Sequence, residues 1–173
     1  MSQNRIFRIE PLNETWIEQV RFWRNQNFVR QQMEYNAVIS EKAQHLWFSR
    51  LQNDPSQRYF IFFSGSIPVG IIHLSKLDLE KKEAEVGLFI GDANFIGTGI
   101  SLEASLFILD LAFKQLKLNR LFAKVKNDNI AAIRYNELLG FRFQTKLNDD
   151  FSQYELLDQT YFQRLTLFKK LLG

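Results

Sequence analysis

The six residues Asn94-Phe95-Ile96-Gly97-Thr98-Gly99 stand between a stretch that reads as a strand, 83–90, and an apolar stripe at helical spacing, Leu102, Leu106, Leu109, Phe113 and Leu116. A helix start offers unpaired backbone N–H groups and the positive end of its dipole, both of which suit a phosphate. Glycine at 97 and 99 lets that backbone approach a pyrophosphate with no Cβ in the way. A plain turn is the other reading of so short a Gly-x-Gly. A Walker loop is excluded, because Ile100 stands where that loop needs Lys. In the preceding strand, Glu83, Glu85, Gly87 and Phe89 share one face, and Ala84, Val86, Leu88 and Ile90 the other. Glycine in mid-strand commonly marks a bulge or the close approach of a ligand, so the strand is expected to part from a neighbour near Gly87. Glu85 beside it reads either as a proton acceptor partly desolvated at an apolar cleft, with a raised pKa, or as an ordinary solvent-facing carboxylate.

The elements that must carry these residues follow from periodicity. Residues 5–10 alternate as a short strand, Asn13 can cap a helix over 14–25, and Ser40 opens a second helix striped by Ala43, Leu46, Trp47 and Leu51. Stretches 58–64, 67–77 and 83–90 read as three consecutive antiparallel strands turned at Gly65-Ser66 and Lys81-Lys82. Behind the glycine-bearing helix come a strand over 120–126, a helix over 129–139 closed by Gly140, and strands over 141–147 and 159–168. The predicted order is β-α-α-β-β-β-α-β-α-β-β. No repeat, linker or low-complexity tract divides the chain, so one domain over 1–173 is expected.

Composition narrows the class. A chain of 173 residues, 46% hydrophobic with 17 Phe, can offset its ordering entropy by burying one core. Its 22 basic and 19 acidic residues are dispersed, so the net charge of +3 points away from nucleic acid and equally suits a ligand that carries phosphates. With no Cys there is no disulfide, thiol nucleophile or Cys-held zinc. His45 and His73 lie far apart in sequence, so no catalytic metal is expected. His45 reads as a polar residue on a helix face, and His73, in an apolar strand, as a hydrogen-bonded core residue. No apolar stretch has the length of a signal-peptide core at the start or of a membrane span elsewhere, so a soluble cytoplasmic protein with no membrane partner is expected.

With these residues in place, the sequence resembles the GNAT superfamily over nearly all of its length. The family's Gln/Arg-x-x-Gly-x-Gly/Ala motif maps onto Asn94 to Gly99, with Asn94 at its first position. Asn129, Ala132 and Gly140-Phe141 match its Asn-x-x-Ala and closing Gly-Phe landmarks. The resemblance implies an α/β (α+β) GNAT fold, a mixed sheet of six to seven strands with about four helices, splayed between the fourth and fifth strands. It also implies acetyl-CoA as co-substrate, held by Leu88, Phe89, Ile90, Asn94, Ile96, Gly97, Thr98, Gly99 and Ile100, and by Asn129, Ala132 and Asn136. The acceptor amine then attacks the thioester directly in a ternary complex, with Glu85 as base and a backbone N–H near Leu88 or Phe89 as oxyanion donor. Many relatives carry a Tyr four residues before the closing Gly. Here that position is Asn136, and Tyr135 stands one residue earlier, about 100° around the helix. Tyr135 is either the acid that protonates the thiolate or a core residue.

A narrower resemblance concerns the acceptor. Trp23-Arg24-Asn25, Ile39, Glu41, His45, Trp47, Tyr59-Phe60, residues 68–72 and Val86-Gly87-Leu88-Phe89 together look like the nucleotide-sugar N-acetyltransferases of the pseudaminic acid type, which serve surface glycan synthesis. On that resemblance Arg24 and Arg30 meet a diphosphate, while Trp23, Phe28, Trp47 or Tyr35 stacks on a base or sugar ring, with Asn25 beside them. Core packing for Trp23 and Trp47, and solvated surface positions for the two arginines, are the competing readings. An N-terminal amino-group acetyltransferase of the ribosomal-protein kind and a non-catalytic acetyl-CoA-binding module also stay open. The polar span 148–158 is expected as a loop closing over the acceptor. Tyr161 and Phe162, near the last strand, would permit a homodimer.

Overall fold

A computed structural model describes residues 6–172. Along the chain run β1 (Phe7–Pro11), a 3-10 turn (Glu14–Trp16), α1 (Ile17–Asn25), the single-turn α2 (Asn27–Arg30), α3 (Glu41–Leu51), β2 (Arg58–Ser64), β3 (Ile67–Asp78) and β4 (Glu83–Ile90). A second 3-10 turn (Ala93–Phe95) leads to α4 (Ile100–Asp110), which ends in a π-helical turn (Leu111–Gln115). Then come β5 (Arg120–Lys126), α5 (Ile130–Leu139), β6 (Arg142–Lys146), β7 (Phe151–Leu157) and α6 (Asp158–Leu172). The strands form one seven-stranded sheet in the order β1-β2-β3-β4-β5-β7-β6. It is mixed: β4 runs parallel to β5, whereas β1 with β2, β5 with β7, and β7 with β6 are antiparallel. Arg5, where the sequence starts its first strand, lies outside the described residues. No described helix is long and apolar enough to cross a membrane.

The chain divides into two compact units. One comprises residues up to 73 with Leu88–Ser105, the other Leu74–Gly87 with residues from 106 onward. In the first unit, Val20 and Trp23 of α1 pack with Ile61 and Phe63 of β2 and Ile71 of β3, ringed by Leu12, Trp16, Tyr59 and Phe89. Each large side chain taken out of water there is worth about 1.5–3 kcal/mol. The caps read from the sequence form: Asn13 accepts from the Thr15 amide at 3.0 Å, and Ser40 from the Ala43 amide at 3.2 Å. The buried stripe of α3 is phased differently from the sequence reading. Gln44 and Phe48 are buried, whereas Ala43 and Leu46 are exposed. Gln44 can turn inward because its Nε2 donates to the Ile17 carbonyl at 2.8 Å, which satisfies the buried amide.

In the second unit the C-terminal third departs most from expectation. Residues 148–158 are not a loop over the acceptor: 151–157 are β7, inserted between β5 and β6. Its polar residues hide the strand signal, and tertiary partners satisfy them. Ser152 Oγ donates to Asn127 Oδ1 at 2.7 Å, Gln153 Nε2 to Gln144 Oε1 at 2.6 Å, and Glu155 lies 3.8 Å from Arg120. Nor is 159–168 a strand: it lies within α6. Tyr161 and Phe168, two helical turns apart, are both buried, and between them Arg164 Nη1 donates to the Leu138 carbonyl at the end of α5 at 2.7 Å. Tyr161 is therefore not an exposed dimer contact. Its ring stacks on Phe113 at 5.3 Å and its hydroxyl donates to Asp110, which also pairs with Lys114 at 2.7 Å. Burial and the Asp110 carboxylate push the Tyr161 phenol pKa up. Phe162 remains 46% exposed.

Candidate active site

In the first unit, β4 ends in half-buried Leu88, Phe89 and Ile90, and the chain turns through Asp92 into α4. Asp92 caps the 3-10 turn, accepting from both the backbone N and the side-chain Nδ2 of Asn94 at 3.0 Å. The Asn94 side chain is thus engaged within the turn. Thr98 Oγ1 donates to the Phe95 carbonyl at 2.7 Å, and Ile96 is exposed. Gly97 and Gly99 have φ of 76° and 84°, and a Cβ at either would meet nothing within 4 Å. Glycine is therefore required here by backbone conformation, and open space lies in front of it. At the start of α4 the Leu102 amide donates to the Gly99 carbonyl at 3.0 Å, and Ile100 anchors that start by complete burial. Bare backbone, open space and a helix start are the features a pyrophosphate needs.

Glycines also set the floor of this unit. A Cβ on Gly91 would sit 2.0 Å from the Trp23 ring, and one on Gly70 would sit 2.3 Å from the Phe89 carbonyl. Trp23 is 2% exposed and meets the Phe89 ring edge-on at 6.5 Å, so most of it is packed in the core. A groove of about 420 Å³ is lined by Trp23 together with Gln19, Phe22, Gln26, Pro68 and Asp92.

In the second unit, the ladder between β4 and β5 consists of Glu83↔Arg120, Ala84↔Leu121 and Glu85↔Phe122, and Val86 and Gly87 follow with no partner on β5. The strands part where Gly87 predicts. Glu85 does not lie in a purely apolar setting: Lys76 Nζ donates to its Oε2 at 2.8 Å. Its side chain is 21% exposed, and Oε1 meets no donor among the described residues. The sequence reading missed Lys76, whose φ of 50° interrupts β3 nine residues away.

The helix-borne landmarks serve first as caps. Asn129 Oδ1 accepts from the Ala132 amide at 3.0 Å, which explains the Asn-x-x-Ala spacing, since an N-cap side chain reaches the third helical amide. The Asn136 carbonyl receives the Gly140 and Phe141 amides at 3.1 and 2.9 Å, and its Nδ2 donates to the Ala132 carbonyl. Gly140, at φ 107°, closes the helix in a left-handed turn. Tyr135 is half-buried.

The residues read as acceptor contacts fall into distinct roles. Asn25 pins the chain after α2 to α1, with Nδ2 donating to the Ile39 carbonyl at 2.9 Å and Oδ1 accepting the Ile39 amide at 2.8 Å. Arg30 Nη2 donates to Asn27 Oδ1 at 3.0 Å. The Tyr35 ring is 61% exposed, and its carbonyl accepts from Arg24 Nη2 at 3.3 Å. Burial lowers the pKa of the Arg24 guanidinium. His73, expected to be hydrogen-bonded, has no partner at its buried Nδ1, and its ring stacks on Tyr59 at 4.4 Å. Burial first, and the Arg24 charge second, push its pKa down to about 4. Among the described residues, no group of three or more His, Asp or Glu is gathered as a metal site requires.

Three comparisons bear on this geometry. Residues 7–142 match the family model "Acetyltransferase (GNAT) domain", a match that takes in residues of both units. The chain is 33% identical over 124 residues to the acetyltransferase PseH of Campylobacter jejuni, covering 71% of this chain and 74% of that one. The crystal structure of the C. jejuni N-acetyltransferase PseH superposes with a TM-score of 0.67 at 23% identity, over 87% of this chain and 97% of that one. A spermidine N-acetyltransferase from Vibrio cholerae, solved with CoA and spermine, shares the fold with a TM-score of 0.81 at 17% identity, over 90% and 98% of the two chains.

Proposed function

The chain belongs to the GNAT acetyltransferase family, and on that premise we propose that it transfers acetyl from acetyl-CoA to the free amine of a nucleotide-linked amino-deoxy sugar. The observation that carries the acceptor reading is the 33% identity to PseH over 71% of the chain. It agrees with the resemblance of the N-terminal half to nucleotide-sugar N-acetyltransferases. Arg24, whose guanidinium is only partly satisfied by a carbonyl, adds a cation suited to a diphosphate.

Acetyl-CoA supplies the activated acetyl group as a thioester. The amides and positive-φ glycines from Gly97 to Ile100 are the groups that hold its pyrophosphate, and the open space before Gly97 and Gly99 fits that role. Glu85 takes the proton that the acceptor ammonium must lose before it becomes a nucleophile, with Lys76 fixing one carboxylate oxygen and Oε1 facing the proton or a relaying water. A backbone N–H at Leu88 or Phe89 donates to the developing oxyanion. Tyr135 on α5 is the phenol that protonates the leaving thiolate, at the position next to the one many relatives use.

The test is thiol release from acetyl-CoA with UDP- and dTDP-linked amino sugars beside peptides with free N-termini and spermidine. Acetylation of an amino sugar with a kcat/KM at least about tenfold above every other acceptor is the expected outcome. Turnover confined to peptides or spermidine would move the acceptor to that class.

A further inference from the structure

Strand β5 has two unlike faces. Leu121, Ala123 and Val125 are buried, whereas Arg120, Phe122, Lys124 and Lys126 are half-buried. β7 repeats the alternation, with Tyr154 and Leu156 buried and Gln153 and Glu155 half-buried. Register brings these half-open faces to Glu85. Glu85 pairs with Phe122 in the last rung of the β4–β5 ladder, and Phe122 pairs with Glu155 between β5 and β7. Residues paired across a ladder point to the same side of the sheet, so the three stand in one row, on strands about 4.8 Å apart. A phenyl ring occupies the middle of that row and a carboxylate each end.

Neighbouring cations hold the row without filling it. Arg120 Nε and Nη2 both meet Glu83 Oε2, at 2.8 and 2.6 Å, which fixes the guanidinium with its Cζ 5.3 Å from the centroid of the Phe122 ring. Arg120 Nη1 approaches Glu155 only to 3.8 Å, too far for a hydrogen bond, so the Glu155 carboxylate keeps its accepting capacity, as Oε1 of Glu85 does. Arg142 stands opposite Glu155 on β6. The carboxylates of Glu83, Glu85 and Glu155 are thus balanced by Lys76, Arg120 and Arg142, and a polycation gains no net attraction here. What the row offers is an apolar face between two hydrogen-bond acceptors. That pattern suits an amino-pyranose, whose C–H face is apolar and whose hydroxyls and ammonium donate from the rim.

We propose that Phe122 and Glu155 are specificity-determining residues for the acceptor. The sugar lays its C–H face on the Phe122 ring, Glu155 accepts from a ring hydroxyl, and the reacting amine stands at the opposite end of the ring, toward Glu85. That the acceptor is a sugar rests on the function proposed above; the row itself rests on strand register and on the Arg120 contacts.

Steady-state kinetics of the whole protein with acetyl-CoA and the UDP- and dTDP-linked amino sugars test the row. Phe122→Leu and Glu155→Gln should each raise the KM of the acceptor about tenfold or more, with the KM of acetyl-CoA within about twofold of the wild type. Phe122→Tyr keeps an aromatic face and should restore the acceptor KM to within about threefold, which a loss of packing alone would not explain. An acceptor lacking the hydroxyl that Glu155 receives should be poor for the wild type and no poorer for Glu155→Gln, because the two losses remove the same bond. An acceptor KM unmoved by both substitutions, or moved only together with that of acetyl-CoA, overturns the proposal. The two readings fail separately. Amino-sugar turnover indifferent to Phe122→Leu and Glu155→Gln keeps the function and removes the row. Turnover confined to peptides or spermidine removes the sugar from both readings, and with it the proposed contacts of Phe122 and Glu155.

Discussion

His73 sits in β3 with its ring on Tyr59, and burial reinforced by Arg24 holds its pKa at about 4, below the ordinary 6.5. The unfolded chain therefore takes up a proton that the folded chain refuses. Stability is unaffected above about pH 6.5, falls as pH drops through the interval, and has lost its full share, about 3 kcal/mol, near pH 4. Urea midpoints at pH 7 and pH 4.5 should show this loss in the wild type and a smaller one in His73→Phe; equal losses would remove His73 as the cause. Glu85 makes a different prediction, because its ion pair with Lys76 is compatible with either a base or a structural carboxylate. Glu85→Gln keeps the shape and removes the proton acceptor, so kcat should fall by about a hundredfold with acetyl-CoA affinity little changed. Steady-state kinetics across pH decide the matter, and an unaltered profile would place the base elsewhere.

At the level of elements, two helix boundaries use glycine in different ways. The turn into α4 keeps two glycines at positive φ with open space before them, an arrangement unfavourable for a free chain and useful for admitting a ligand. Gly97→Val puts a β-branched side chain at φ 76°, at a cost of about 1–3 kcal/mol of backbone strain, and fills the space with methyl groups. The expected outcome is a KM for acetyl-CoA raised about tenfold or more, while the thermal midpoint drops only modestly. Gly140, at the end of α5, is a packing position. A Cβ there would lie 3.0 Å from Arg164 Cδ and 3.1 Å from both Leu156 Cδ1 and Thr160 Cγ2, and φ is 107°. Gly140→Ala should therefore cost about 2 kcal/mol or more in chemical denaturation. Asn129→Ala, which removes only the cap to Ala132, should cost about 1 kcal/mol. If the two losses were equal, the crowding around Gly140 would be relieved by movement of α6.

Across the whole molecule, the strands form one seven-stranded mixed sheet, and the chain belongs to the GNAT acetyltransferase family. Much of this was legible in the sequence, because its signals are local. Gly97 and Gly99 announce bare backbone and Gly140 a helix end, Asn13 announces a cap and Ser40 a helix start, and Gly87 announces the end of the β4–β5 ladder. Each depends on a residue and its nearest neighbours, so the chain itself specifies it. What only the tertiary structure decided depends on partners far along the chain. The polar strand β7 exists because Asn127, Gln144 and Arg120 satisfy its side chains, and α6 replaces a strand because Tyr161 and Phe168 bury one helical face. Trp23 is drawn into the core by the clearance that Gly91 provides, and Gln44 turns inward toward a carbonyl 27 residues away. The orphaned nitrogens of Arg24 and His73 could not be read from either residue, since a missing partner is a property of everything folded around them.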